Sequence, residues 1–413
     1  MAGSVPAGRA TTSTRWIGVS SARATQVATG RARSANGDPS TGTTIRRRLG
    51  GVTIATSPSP GCTTLGFPSF SMVVATAPII RYPGDASQGR RSRSRRSGML
   101  RTMRIAIVGA GSVGATAAYA CLLRGVAEEL VIQDVDRAKA EAQALDLAHS
   151  VQFARMAVVR STADPEGCAG ADIVVLAAGA KQRPGQTRMD LADDNVRMCR
   201  HVVPGVASVA PNALWLVVTN PVDVITRATL TVSGLDPARV VGTGTVLDSS
   251  RLRVLLADRC RVAVQNVHAY VVGEHGDSEV ALWSSATVGG VPLAQWGPVL
   301  GGAPSADERQ SMLDDVRRAA YRIVAGKGAT NFAIGVVAAR VVEAVARNER
   351  RVLPVSSYLE SYRGIDDVCM SVPCVVDRRG IAARLDVPMN DAEHDALEAS
   401  AASIRRACSA VGA

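Results

Sequence analysis

Arg104-Ile-Ala-Ile-Val108-Gly109-Ala-Gly111-Ser-Val-Gly114 is the stretch on which the reading of the fold turns. A short apolar run enters a Gly-x-Gly-x-x-Gly directly, and the helix-forming run Ala115 to Leu123 follows. Three glycines alone serve a tight turn as readily as a ligand. Here a strand precedes them, a helix follows, and Asp134 closes the next strand (Leu130 to Asp134), 20 residues past Gly114. That combination predicts a dinucleotide-binding βαβ unit. Gly109, Gly111 and Gly114 let backbone approach a pyrophosphate, the helix N-terminus attracts its charge, and Asp134 accepts from ribose hydroxyls. An acid there repels the additional phosphate of NADP, so NAD is the expected cofactor. Lys139 faces either the adenosine or solvent.

Charge is unevenly spread around this unit. Residues 1–102 carry 15 arginines, no lysine and two acids (Asp38 and Asp85), so the formal +11 of the 413-residue chain belongs to them; the rest is close to neutral, at −2. A nucleic-acid or membrane role read from overall charge is therefore excluded. The leader is rich in Ser, Thr, Gly, Pro and Arg, ends in Arg90-Arg-Ser-Arg-Ser-Arg-Arg96, and lacks apolar periodicity, so it is expected to be disordered. Its most apolar part, Phe70 to Ile80, is too short to span a bilayer. The composition is that of an organelle transit peptide or of translated upstream sequence. Three lysines against 44 arginines in the whole chain, as a GC-rich coding sequence gives, favour the second. The eight cysteines are scattered with no Cys-x-x-Cys, which argues against a metal site or disulfide framework and fits a reducing cytoplasm, with most of them small core residues.

From Met103 the pattern alternates strand and helix. A helix over Arg137 to His149 precedes the strand Asp172 to Ala177. The Gly/Pro-rich segment after it holds Gln182 and Arg188, at the carboxyl edge where doubly wound sheets bind ligands. A loop there can close over a ligand and bring Arg188 in; alternatively Arg188 caps the helix from Asp190. The strand Leu214 to Thr219 ends in Asn220-Pro-Val-Asp223, where Asn220 offers both donor and acceptor or simply makes an Asn-Pro turn. Asp248 and Arg251 lie three apart on the helical run after Gly244 and so share a face, as a ligand-facing pair or a weak surface ion pair. Val267 to Val272 reads as a strand leading to Gly273-Glu-His275-Gly-Asp. A lone imidazole at such a strand end is either a solvated turn residue or an acid/base group, histidine being able both to take and to give a proton near neutrality. Val352 to Val355 and Val372 to Val376 read as strands, and Asp391 to Ala410 as an amphipathic helix.

Taken together and in order, Gly-Ala-Gly-Ser-Val-Gly, Gln-Arg-Pro-Gly-Gln-Thr-Arg, Asn-Pro-Val-Asp, Leu-Asp-Ser-Ser-Arg and Gly-Glu-His-Gly-Asp resemble the L-lactate/malate dehydrogenase family, most closely its bacterial L-lactate branch. The resemblance runs from Met103 to the C-terminus. It implies an α/β fold, an NAD-binding Rossmann domain (doubly wound parallel sheet, 103–243) followed by an α/β catalytic domain (244–413), assembled as a homotetramer. It also implies interconversion of L-lactate and pyruvate. His275 is then the acid/base and Asp248 holds its tautomer. Arg251 grips the substrate carboxylate, Arg188 polarises the C2 oxygen, and Asn220 adds a hydrogen bond. Val113, Gly179, Ala180, Thr219 and Thr243 join the cofactor site. Gly326 to Gly335 resembles the family's substrate-pocket helix, with Thr330 near the substrate's methyl end or simply starting a helix.

Gln182 separates the branches, since malate dehydrogenases carry arginine there to pair a second carboxylate. A non-enzymatic relative would be free to lose His275, Asp248 or Arg251, and all three are present. Arg253 points away from Arg251 on its helix. In bacterial lactate enzymes a basic residue here and a histidine at the position of His268 bind fructose 1,6-bisphosphate across a subunit interface; otherwise the two are a surface arginine and a packed strand residue.

Overall fold

The computed structural model describes residues 48–49, 52–53, 103–180, 188–297 and 301–413, with residues 188–190 described by their backbone alone. The chain divides into two units, Met1–Ser92 and Arg93–Ala413. In the first, β1 (Arg48–Leu49) and β2 (Val52–Thr53) pair antiparallel. The expected disorder of residues 1–102 otherwise lies outside the described residues.

The second unit is built on a nine-stranded sheet. Its six parallel strands are β3 (Arg104–Val108), β4 (Glu129–Gln133), β5 (Val158–Thr162), β6 (Ile173–Leu176), β7 (Leu214–Val217) and β8 (Val240–Gly242), in the spatial order β5-β4-β3-β6-β7-β8. After Arg104 at the start of β3, the strands β3, β6 and β7 are runs of Val, Ile, Leu, Ala and Trp that are buried throughout, as expected of central strands covered on both faces. Helices α1 (Ser112–Arg124) and α2 (Arg137–Ser150) contribute to one core cluster against the sheet, and α3 (Arg188–Val209) and α4 (Val222–Ser233) to another. The order reverses at β3, which pairs with both β4 and β6, and this switch point places the loops after β3 and β6 side by side.

The chain continues through α5 (Val246–Cys260), the short strands β9 (Val267–His268), β10 (Val271–Val272), β11 (Val280–Ala281), β12 (Thr287–Val288) and β13 (Val291–Pro292), and helices α6 (Ala306–Lys327) and α7 (Phe332–Ala346). Three antiparallel strands follow, β14 (Arg351–Leu359), β15 (Val368–Asp377) and β16 (Gly380–Arg384), and α8 (Asp391–Val411) ends the fold. β14 joins the parallel sheet through the pair Ser356 and Gly242, so one sheet runs through both halves of the sequence.

Two expectations need correction. Val267 to Val272 is not one strand: β9 pairs with β12, whereas β10 pairs with β11. Between them the Ala269 carbonyl accepts from Arg253 Nε at 2.8 Å, which diverts the backbone from a continuous ladder. Gly326 to Gly335 is not one helix either. Gly328 ends α6 in the left-handed region (φ 81°), where glycine carries no Cβ penalty, and α7 restarts at Phe332. The third helix begins at Arg188, two residues ahead of Asp190.

Candidate active site

The glycine loop divides its labour. Gly109 has φ +107°, and a Cβ there would lie 2.4 Å from the Ala178 nitrogen; at Gly114 it would lie 1.9 Å from the Gly109 carbonyl oxygen. These two glycines let the loops after β3 and β6 and the start of α1 pack. Gly111 differs, since among the described residues a Cβ there would meet nothing within 4 Å. It caps α1 without a side-chain hydrogen bond, leaving the helix's first N–H groups free to meet an anion beside open space. This cradle fits a dinucleotide pyrophosphate.

Gly111 and Val113 line a cavity of about 980 Å³ together with Gly179, Ala180, Thr219 and Asn220. Asn195 joins two of the segments that line it. Its Oδ1 accepts from Ala180 N–H and its Nδ2 donates to the Asn220 carbonyl, both at 2.7 Å. Thr219 Oγ1 donates to the Ala178 carbonyl at 2.6 Å. Gly109, Gly114, Asp134, Lys139 and Thr243 are not among the lining residues. Thr243 is buried, its N–H donating to the Val217 carbonyl. Asp134 Oδ2 accepts from Ala110 N–H at 2.7 Å and from Lys139 Nζ at 3.0 Å. Burial pushes this carboxyl up, but the Lys139 hydrogen bond and the backbone N–H groups outweigh it and hold it below the usual range. Lys139 thus pairs with Asp134.

Asp248, Arg251, His275 and Thr330 line the same cavity. Two hydroxyls lock α5 against β10: Thr245 Oγ1 donates to the Val271 carbonyl at 2.5 Å, and Ser249 Oγ accepts from Val271 N–H at 2.8 Å. That registry brings Asp248 beneath the loop after β10, and His275 Nδ1 lies 2.6 Å from Asp248 Oδ2. The other carboxylate oxygen accepts from Arg251 Nη1 at 2.7 Å. Asp248 is 2% exposed and the Arg251 side chain 18%, so this is no solvated surface pair. Burial raises the Asp248 carboxyl, but the charges and hydrogen bonds of His275 and Arg251 prevail and lower it. For His275, burial acts to lower the pKa, and the Asp248 charge and hydrogen bond, with the charges of Asp223 and Glu279, carry it to about 9.

The structure adds residues to which the sequence assigned no role. Asp223, inside the quoted Asn-Pro-Val-Asp, is buried and accepts from His275 N–H at 2.8 Å, fixing the loop backbone. Burial raises its carboxyl to about 6. Asn195 lies in mid-helix with no local signal. Glu279 falls just past the histidine motif; one oxygen each of Asp248 and Glu279 and a His275 ring nitrogen lie within 4.8 Å of one another. Within this cluster Asp248 is already engaged by Arg251 and His275.

Thr330 does not start a helix. It sits in the α6–α7 loop, and Asn331 occupies the cap position of α7. Arg253 stacks over Tyr270, its guanidinium carbon 5.2 Å from the ring centroid, besides holding the Ala269 carbonyl; His268, one residue before Ala269, is exposed on β9. Gln182 lies outside the described residues, and so does the side chain of Arg188.

Residues 103–242 match the lactate/malate dehydrogenase NAD binding domain, and residues 245–412 match the lactate/malate dehydrogenase alpha/beta C-terminal domain. The chain belongs to the lactate/malate dehydrogenase family. It is 45% identical over 314 residues to an L-lactate dehydrogenase of Bifidobacterium animalis subsp. lactis, covering 76% of this chain and 98% of that one. With an L-lactate dehydrogenase of Thermus aquaticus it shares 47% over 310 residues, 75% of this chain and all of the relative. Its structure is similar, at TM-score 0.71 and 39% identity, to the minor L-lactate dehydrogenase of Enterococcus mundtii, covering 75% and 98% of the two chains. As a lactate/malate dehydrogenase family member it is an NAD-dependent oxidoreductase.

Proposed function

We propose that this chain interconverts L-lactate and pyruvate. The observation that carries the reading is the His275–Asp248–Arg251 cluster, opening into the same cavity as the glycine cradle. When bound, NAD supplies the two-electron half of the reaction, held by Gly111, Val113, Gly179, Ala180 and Thr219. In pyruvate reduction His275, carrying its proton, donates to the developing C2 alkoxide; in lactate oxidation it takes that proton back. Asp248 fixes the imidazole's orientation and stabilises its charged form. Arg251 pairs with the substrate carboxylate, for which a planar guanidinium suits better than an ammonium. Asn220 and Thr330 complete the substrate's surroundings, and the family resemblance assigns Arg188 to its C2 oxygen and Gln182 to the choice of its C3 substituent. A neutral amide there suits a methyl group and leaves a second carboxylate unpaired.

The test is an NADH-oxidation assay with pyruvate and with oxaloacetate, on the native chain and on Gln182→Arg. Preference for pyruvate, shifted toward oxaloacetate by orders of magnitude in the variant, is the expected result. A native preference for oxaloacetate overturns the reading in favour of malate, and no turnover of either points to a non-enzymatic relative.

The same reading extends to a division into NAD-binding (103–243) and catalytic (244–413) parts, a homotetramer, a cytoplasmic location and activation by fructose 1,6-bisphosphate at Arg253 and His268. No helix among the described residues is long and apolar enough to cross a membrane. Residues 1–102 are dispensable in this proposal, and a chain beginning at Met103 retains activity and thermal midpoint.

A further inference from the structure

We infer that Glu279 is a positioning residue for acid/base catalysis, its buried carboxyl group, once ionised, holding the proton on His275 from beside the His275–Asp248 pair. The inference rests on the acid/base role proposed for His275. Glu279 closes the turn that carries the histidine, its N–H donating to the Gly276 carbonyl at 3.4 Å, and it leads into β11. From α6, Arg317 Nη2 donates to the Glu279 carbonyl at 2.7 Å, so the residue is fastened by its backbone on both sides. Its side chain is not fastened in the same way. Glu279 is 2% exposed, and its Oε1 is buried with no hydrogen-bond donor among the described residues. A carboxyl group in that condition is costly unless its surroundings use its charge.

Those surroundings are charged on several sides. Asp248 and Arg251 face Glu279 from α5, His275 from its own loop, and Arg317 from α6. Asp223, from α4, faces the histidine. On α8 the groove beside Glu279 presents Ser400 and Ser403, with Glu393 and Arg406 along it, and Glu393 is engaged by Ser284. With one oxygen within 4.8 Å of both the imidazole and the Asp248 carboxylate, Glu279 is a second carboxyl group at the histidine.

Its titration follows from this placement. Burial, reinforced by the Asp248 charge, raises the Glu279 carboxyl to about 8 against the pull of His275, Arg317 and Arg251. Near neutrality Glu279 is therefore protonated while His275 carries its charge. As pH rises the first proton goes to solvent from the Glu279 carboxyl, and the negative charge left behind tightens the hold on the remaining proton of His275. Pyruvate reduction needs that second proton, so Glu279 extends the working range upward in pH.

The test is the pH profile of kcat/KM for pyruvate in the native enzyme, Glu279→Gln and Glu279→Asp, read beside an NMR titration of the His275 ring. Glu279→Gln is expected to move the alkaline limb and the ring titration down together by about one pH unit, with rates at pH 6 within a few-fold of native, and Glu279→Asp to restore most of the shift. A lowered thermal midpoint with limb and ring titration unmoved reduces Glu279 to packing and overturns the inference. Should Glu279→Gln fail to fold, the native ring titration decides: it must carry an inflection from a neighbouring ionisation before its own, and a single step overturns the idea. If the native chain does not reduce pyruvate, the L-lactate reading fails, while the ring titration still decides the role of Glu279.

Discussion

His275 Nδ1 and Asp248 Oδ2 meet at 2.6 Å, and they reach that contact from segments 27 residues apart, a loop after β10 and the first turn of α5. The carboxylate is nearly solvent-free and shared with Arg251, so its charge acts on the imidazole with little screening. Asp248→Asn keeps the shape and removes the charge. The His275 pKa should fall from about 9 toward its ordinary 6.5. Turnover of pyruvate at pH 7.5 should fall about 100-fold or more. NADH binding, followed by its fluorescence, should survive.

The same pair gives stability a pH dependence. His275 has a folded pKa above its unfolded value, so its contribution is fully present below about 6.5 and is lost as pH rises through about 9. A shift of that size corresponds to a contribution on the order of 3 kcal/mol. Asp223 and Glu279, also raised, act with the same sign between their unfolded values and about 6 and about 8. Thermal midpoints of the cofactor-free protein should therefore decline from pH 6 to pH 9, and His275→Asn should flatten that decline. An equally steep decline in the variant would assign it to other groups.

Gly111 and Gly114 are three residues apart but should respond oppositely to alanine. Gly114→Ala drives a methyl group into the Gly109 carbonyl and should lower the thermal midpoint by several degrees. Gly111→Ala meets no atom within 4 Å among the described residues. Its midpoint should be native while the NADH Kd rises about tenfold or more, because the methyl group occupies the pyrophosphate's approach. Calorimetry and fluorescence titration on both variants separate these outcomes.

Asn195 joins the two loops that wall the cofactor side of the cavity. Asn195→Ala leaves the Ala180 N–H and the Asn220 carbonyl without that partner, at about 2 kcal/mol of stability. NADH affinity should weaken with it, since both loops line the cavity. Unchanged affinity despite lost stability would confine Asn195 to a structural role.

Arg253 and exposed His268 bracket the strand break at Ala269. If they bind a bisphosphate, fructose 1,6-bisphosphate should lower the apparent KM for pyruvate. Arg253→Gln should abolish the response. Initial rates across an effector titration check this, and a flat response in the native enzyme removes the site.

How much of this was legible in the sequence depended on the range of the interaction. Gly109 to Gly114, the apolar strands and Asp134 are local signals, because backbone conformation and two-sided burial impose residue types over a few consecutive positions. They determined the parallel core and the cofactor loop. The order of motifs placed Asp248, Arg251 and His275 in one functional set. What only the tertiary structure decided is how these segments meet. The Arg253 hydrogen bond that interrupts Val267–Val272, the Asn195 bridge between two loops and the Asp223 contact to His275 N–H join residues 15 to 52 positions apart. A buried polar group must find a partner wherever the fold supplies one, and that choice leaves no periodicity in the chain. The same holds for Glu279. Nothing in its neighbours in sequence distinguishes it from a solvated acid, and its character comes from burial beside a carboxylate and an imidazole brought there by α5 and the loop after β10.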